Sequence, residues 1–341
     1  MSEQTELNIG LYYELRNPQF KERSWEDLTE AVVEQAVLAD ELGFDSFWSS
    51  EHHFAPDGET PTPLMLAAAV AARTKRIRLG TDLMVLPLHH PVRLAEDAAF
   101  LSILSRGRFD LGLAAGYVEE DFEAFGQKLS YRPSLMEEGI EILKKSWSGE
   151  PFSYSGKRWT LPEVTVLPVP RPENRTRLMI GGFAPAAIAR AAKYGDGFMC
   201  ASLEGTAQIY LDALTEAGKD HSEGWISASA WWVVAEDPEK VWAEIGKHGL
   251  YQVNKYVAAG VFGDMPLFTD PADLLERKQF EIHDGASAVA RLKELKADYP
   301  QLADLHMFAV LPGEEVESAG ERVEYVAKTV LPHFTSVDAS R

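Results

Sequence analysis

A single cysteine, Cys200, stands in the 341 residues. One thiol excludes an intrachain disulfide and a zinc site built on cysteines. No apolar run reaches the roughly 18 residues of a membrane-spanning helix. Met1 to Leu7 is polar and acidic, with neither the basic start nor the apolar core of a signal peptide. A cytoplasmic protein is expected. Positive charge is scarce as well: 33 Lys and Arg face 53 Asp and Glu, for a formal net charge of -20. A field of that sign repels phosphate backbones and anionic lipid, which argues against nucleic acid and membrane surfaces as partners. Three nucleotide and hydrolase signatures are missing too: G-x-G-x-x-G between strand and helix, G-x-x-x-x-G-K-[ST], and the G-x-S-x-G elbow. A built-in dinucleotide domain and a nucleotide-hydrolysing loop therefore drop out.

What is present is a rhythm. Short apolar runs alternate with longer segments of helical period. Runs begin near residues 7, 44, 77 and 109, spaced by 37, 33 and 32, about one strand–helix unit each. The expected strands are Leu7–Tyr13, Asp45–Ser50, Ile77–Leu86, Arg108–Ala114, Arg177–Gly181, Gly197–Ala201, Ile226–Ala235 and His306–Leu311. Between them the helical period predicts Trp25–Leu42, Pro63–Arg73, Pro91–Ser105, Arg132–Ser148, Ala184–Tyr194, Thr206–Ala217 and Pro238–Gly246, with Glu314–Val330 last. Alternation of this kind demands a parallel sheet covered by helices. Eight units favour a closed (β/α)8 TIM barrel over an open doubly wound sheet. A plain barrel takes about 250 residues, so insertions are expected at about 149–176, before strand 5, and about 247–305, between strands 7 and 8. The second contains an acidic, helix-like stretch from Pro271 to Tyr299. No linker composition divides the chain, which reads as one domain over residues 1–341.

In such barrels chemistry sits on the loops after the strands' carboxyl ends. The second of these reads Glu51-His52-His53-Phe54, and the third contains His89-His90. An imidazole beside a carboxylate suits a general base, because it titrates near neutrality. A histidine bonded within its own loop is the plainer alternative. Four imidazoles on one rim also raise a metal site, but neighbouring side chains on an extended segment point apart, and no H-x-H or H-x-x-x-H spacing occurs. Metal is disfavoured. Gly181-Gly182 before the Ala184 helix would let backbone N–H groups meet an anion. Arg132 is a candidate phosphate partner, although a plain surface arginine is the commoner case. Tyr12, Phe54 and Trp231, at strand ends, suit an apolar pocket or simply core.

Several longer motifs occur in order: Glu51-His52-His53-Phe54, then Leu86-Pro87-Leu88-His89-His90-Pro91-Val92-Arg93 with Ala95-Glu96-Asp97, then Ser105-Arg106-Gly107-Arg108-Phe109 leading to Gly112 and Gly116. Together they resemble the bacterial luciferase-like flavin monooxygenases, most strongly over residues 40–140. The resemblance implies a barrel that binds reduced FMN in an open mouth, where a flavin hydroperoxide attacks an apolar carbonyl or related carbon. It implies that His52 is the catalytic histidine, promoting the oxygen step. Asp82-Leu83 match the place of a non-proline cis peptide that supports the flavin ring. Tyr117, Arg132, Gly182, Phe183 and Ala184 match the phosphate side, with Ala114 and Gly181 completing the cofactor set. The substrate pocket then draws on Tyr12, His53, Phe54, His90, Cys200 and Trp231, although Cys200 reads first as buried packing.

The chain also departs from the family. Ala114 and Ala115 stand where luciferases place a reactive cysteine and a phosphate-binding arginine. Phe183 and Ala184 replace acidic and hydroxyl residues. Removing a charge-assisted hydrogen bond to phosphate in this way costs about 1.5–3 kcal/mol. Weak, transient flavin binding and a reaction without light emission are the expectation. FMN would be supplied by a separate reductase, oxygen and a small apolar molecule would be the substrates, and the chain would form a homodimer. A deazaflavin-dependent oxidoreductase is the second reading, and a non-catalytic partner subunit the third. A metal hydrolase comes last.

Overall fold

Local residues fix where the first helices begin and end. Ser24 caps the first long helix by accepting from the Asp27 N–H, and Gly43 ends it in the left-handed region (φ 98°). Proline opens the next helices where no N–H is needed. The computed structural model describes residues 5–200 and 202–337. Residues 1–4 and the expected strand end at Ala201 therefore lie outside the described residues.

Eight parallel strands close into a barrel: β1 (Asn8–Tyr13), β2 (Ser46–Ser49), β3 (Arg78–Thr81), β4 (Phe109–Ala114), β5 (Arg177–Gly181), β6 (Gly197–Cys200), β7 (Ile226–Ala230) and β8 (Leu302–Phe308). β8 pairs with β1, and β3 with β4, where Leu79 faces Phe109 and Gly80 faces Asp110. Around it run α1 (Trp25–Leu42), α2 (Pro63–Arg73), α3 (Pro91–Leu104), α4 (Arg132–Ser146), α5 (Pro185–Tyr194), α6 (Ala207–Glu216), α7 (Pro238–Ala258), α8 (Gly285–Asp298) and α9 (Val316–Thr329). The (β/α)8 expectation is met.

Strand alternation sorts the core into two layers. Leu11, Phe47, Leu79, Leu113, Ile180 and Phe198 pack outward under the helices, whereas Tyr12, Trp48, Met179, Met199 and Phe308 belong to a second cluster inside and above the barrel. At the amino-terminal end of the lumen the buried Asp110 is gripped by Arg177 (2.6 and 2.9 Å) and Arg78. Those bonds, together with the two positive charges, outweigh burial and hold its carboxyl well below the usual range. Such a triad fixes the barrel's closed end.

Several expectations need correction. The Ile77–Leu86 strand is interrupted: β3 ends at Thr81, the chain turns at Asp82-Leu83, and Met84–Val85 then re-pair with Leu113 and Ala114. The Ile226–Ala235 strand leaves the barrel after Ala230, and Trp232–Val234 pairs instead with Glu281–His283. α7 runs on twelve residues past Gly246 to Ala258, because Gly246 and Gly249 lie under the Trp242 indole and are packed instead of terminal. The Pro271–Tyr299 stretch is not one helix. It breaks after Glu276, passes Lys278 at φ 53°, forms Glu281–His283, and restarts at an Asp284 cap that accepts from the Ser287 N–H. β8 also starts earlier than expected, at Leu302. The 149–176 insertion contains a hairpin, Phe152–Ser155 with Thr160–Val164.

Candidate active site

The loop after β2 delivers two carboxylates, Glu51 and Glu59, to two different clusters at the barrel mouth. Adjacent His52 and His53 diverge, as side chains on an extended segment do. His53 Nε2 lies 3.3 Å from Glu51 Oε1, and His89 Nε2 reaches the same oxygen at 2.7 Å. The Val85 N–H donates to the other oxygen at 2.6 Å. Burial alone would raise the Glu51 carboxyl, but these donors bring it down to about 2. Glu51 thus ties the second and third loops together immediately beyond Asp82-Leu83. The ring of His53 packs edge-on against Phe125, with exposed Phe54 beside it.

His52 turns the other way. Its Nε2 is 3.2 Å from Glu59 Oε1, its ring meets the edge of Tyr256, and its side chain is 20% exposed. Behind it stands a buried network that the sequence reading did not identify. Arg16, at the end of β1, contacts Glu14 (3.1 Å), Asp57 (3.0 Å) and Glu59 (2.5 Å). Glu14 also accepts from Tyr12, Gln252 and Tyr256, while Asp57 accepts from Tyr251 and lies 3.8 Å from Lys255. Gly58 makes the turn between Asp57 and Glu59. Its φ is 64°, and a Cβ there would sit 2.3 Å from the Trp25 ring. Tyr251, Gln252, Lys255 and Tyr256 share one face of α7 at i, i+4 spacing. Two signals were legible: charged residues two apart just past a strand end, and polar and aromatic residues at helical spacing beyond Gly246.

Burial, with Arg16 nearby and despite Glu14, pushes His52 down to about 4, so the imidazole is neutral at pH 7. Burial and the neighbouring Glu14 charge push Glu59 up to about 9, against the pull of Arg16. Trp231 continues the wall beside Tyr256, within 5.3–5.5 Å of the rings of Tyr256, Phe280 and Phe308. Tyr12 adjoins Phe308 at 4.8 Å. His52, Tyr12 and Trp231 are therefore brought together on one aromatic face.

The Asp82–Leu83 peptide bond is cis, at the place the resemblance implied. Asp82 accepts from Ser229 (2.8 Å) and lies 2.8 Å from Nε2 of the fully buried His306. Leu83 rests on two glycines: a Cβ on Gly181 would stand 2.3 Å from Leu83 Cδ1, and one on Gly112 3.0 Å from Cδ2. This bare ledge beside Ala114 suits a flat ring. Gly182 (φ 148°), exposed Phe183 and Ala184 lead into α5, whose first turn has no side-chain cap. Arg132 donates to the Gly116 carbonyl at 3.1 Å, next in sequence to exposed Tyr117, and lines a recess of about 630 Å³ with Glu119, Phe122 and Lys128. Ledge, uncapped helix start and arginine fit a flavin-type cofactor with a terminal phosphate.

Four expected pocket residues lie elsewhere: His53 and Phe54 in the Glu51 cluster beside Phe125, and Cys200 and His90 farther out. Cys200 sits in the helix-facing layer, 3.0 Å from the Thr206 hydroxyl, because alternation turns Met199 inward and its neighbour outward. Burial raises its thiol to about 11. His90 packs on Trp159 of the hairpin and lines an outer groove with Met65 and Phe100. Among the described residues no three His, Cys, Asp or Glu side chains form a metal-binding group, and no helix is long and apolar enough to cross a membrane.

A family model described as luciferase-like monooxygenase matches residues 15–326. The F420-dependent glucose-6-phosphate dehydrogenase of Amycolatopsis mediterranei is 32% identical over 56% of this chain and 59% of its own length. The oxygenase component of the flavin-dependent trigonelline monooxygenase of Acinetobacter baylyi is 32% identical over 44% and 42%. Limonene 1,2-monooxygenase of Rhodococcus erythropolis is 28% identical over 86% and 79%. The chain thus spans about half the length of several curated relatives it matches. The fold is shared with the monooxygenase RslO1 of Streptomyces bottropensis (TM-score 0.84, 24% identity, 96% of this chain and all of that one). It is shared also with the oxygenating constituent of 3,6-diketocamphane monooxygenase of Pseudomonas putida, solved with FMN (TM-score 0.78, 20% identity, 98% and 100%).

Proposed function

The chain belongs to the luciferase-like monooxygenase family, and from that premise we propose that it is a cytoplasmic oxygenase that uses reduced FMN from a separate reductase to insert one oxygen atom into a small apolar carbonyl or related carbon substrate. The observation that carries this reading is His52, held neutral beside an aromatic wall whose Trp231 packs on the same cluster as Leu83. Leu83, Ala114 and Gly181 would support the ring, with Asp82 oriented beneath by Ser229 and His306. Gly182, Phe183, Ala184, Tyr117 and Arg132 would hold the phosphate. Bound reduced FMN supplies the two electrons that oxygen requires. Tyr12, Trp231, Phe308 and Tyr256 would orient an apolar substrate and keep water from it. His52 would take or give a proton in the mouth, as a neutral imidazole can at pH 7.

Relatives named as monooxygenases support oxygen transfer, and one named as an oxygenase component supports a separate reductase. The outer groove of about 830 Å³ on α2 and α3, with Met65 72% and Phe100 59% exposed, supports a homodimer. The second reading, deazaflavin-dependent hydride transfer, is supported by the similarity to a dehydrogenase of that dependence.

The test uses labelled oxygen, a flavin reductase, FMN and a panel of aldehydes and ketones. One labelled atom per product is expected. His52→Ala should lower kcat/KM by about 10²–10⁴, the usual worth of a positioned proton carrier. Turnover with reduced deazaflavin and no label in the product would put the second reading in its place.

A further inference from the structure

Three carboxyls, Glu14, Asp57 and Glu59, are buried around one guanidinium, and all are less than a tenth exposed. The cations facing them are Arg16 from β1 and Lys255 from α7. Three potential negative charges meet two positive ones, so one carboxyl must keep its proton or leave an uncompensated buried charge. Donor count identifies it. Glu14 accepts from Arg16, Gln252, Tyr12 and Tyr256, which suits a carboxylate. Asp57 takes both contacts of Arg16 Nη1, the Tyr251 hydroxyl and the nearby Lys255. Glu59 has Arg16 on Oε2 alone. Its Oε1 is buried, has no hydrogen-bond partner among the described residues, and lies 3.2 Å from His52 Nε2.

We propose that Glu59 is a positioning residue that stores a proton for His52, its Oε1–H directed at His52 Nε2 so that the imidazole carries its own proton on Nδ1. This rests on the reading of His52 as the proton-handling group of the mouth. With Nε2 facing Glu59, Nδ1 is the ring nitrogen left to serve the mouth, where the His52 side chain is 20% exposed. When Nδ1 gives its proton to a reacting group, Nε2 takes the proton of Glu59, and the carboxylate left behind is stabilised by Arg16. The imidazole stays neutral throughout, and solvent restores the proton afterwards. Burial and Glu14 hold the stored proton up to about pH 9. The groups facing the pair are Glu14, Arg16, Asp57 and Tyr12 from one side, Glu51 and His53 from the same loop, Tyr117 from the loop after β4, and Tyr251, Lys255 and Tyr256 from α7.

The test is a pH titration of ¹⁵N-histidine resonances in the full chain without cofactor, which reads the tautomer whether or not the protein is an oxygenase. Wild type should show His52 neutral with Nδ1–H from pH 5 to 8, and one step near pH 9 as Glu59 ionises. Glu59→Gln, which keeps shape and a donor for Nε2, should abolish that step. An imidazolium signal near pH 6–7, an Nε2–H tautomer, or a step near pH 9 that survives in Glu59→Gln would each overturn the proposal. In turnover the variant should lose about tenfold in kcat and lose the alkaline limb of its pH profile, with KM nearly unchanged. A full kcat with the limb intact would overturn it too. If the titration behaves as expected but no product carries labelled oxygen, the oxygenase reading fails and the relay stands.

Discussion

Glu51 and Glu59 leave the same loop eight residues apart, are similarly buried, and end in opposite states. The Glu51 carboxyl is held at about 2, and that of Glu59 is pushed to about 9. Desolvation works against the charge of both. The difference lies in company. Glu51 meets two imidazoles and a backbone N–H, whereas Glu59 meets one guanidinium already shared by two other carboxylates. Burial raises the stakes, and the balance of donors over neighbouring anions decides the outcome.

The largest effect should come from removing the ionised partner. Glu51→Ala strands His89 and the Val85 N–H, takes the carboxylate from beside His53, and should cost about 3–5 kcal/mol in urea unfolding at pH 7. The folded carboxyl lies below its unfolded value near 4.5. The share of its stabilisation that comes from ionisation is therefore complete above pH 4.5 and is lost as pH falls through 2, so the gap between wild type and variant should narrow over that range. A gap of constant size from pH 7 to pH 2 would contradict the assignment. His89→Ala removes one of those bonds and should cost less, about 1.5–3 kcal/mol.

Glu59 has the opposite sign. Its folded value lies above the unfolded one, so the protonated fold is favoured fully below pH 4.5, and the advantage is lost as pH rises through 9. Glu59→Gln should accordingly gain on wild type between pH 5 and 8, at up to about 1.4 kcal/mol per pH unit. Parallel stability curves would show that the two carboxylates do not differ in this way. Smallest of all, Cys200→Ala should cost about 1 kcal/mol and leave turnover unchanged, because the thiol packs under α6.

The strand–helix rhythm was readable because burial of β1–β8 imposes apolar runs of strand length, and helix caps are local chemistry. The Glu51-His52-His53 run and the glycines after β5 were readable as candidates for a related reason, being short motifs at known places in a repeating unit. Glu14 and Arg16 carry no such mark. Their partners lie more than 40 residues away at Asp57 and Glu59, and over 230 away on α7. The full length of α7 is hidden in the same way, since Gly246 reads as a stop unless the indole packed over it is known. Cys200 lies on the layer opposite to the expected pocket because the facing of a strand's last residue follows from its neighbours' contacts.

Residue order alone determined the barrel, its eight units and the loops on which chemistry would stand, because those follow from periodicity along the chain. Which histidine of the Glu51-His52-His53 run faces the mouth, and which carboxyl keeps a proton, were decided only in three dimensions. Protonation depends on charge and dielectric within a few ångströms, and closing the barrel is what brings residues 14, 16, 57, 59 and 256 within that distance.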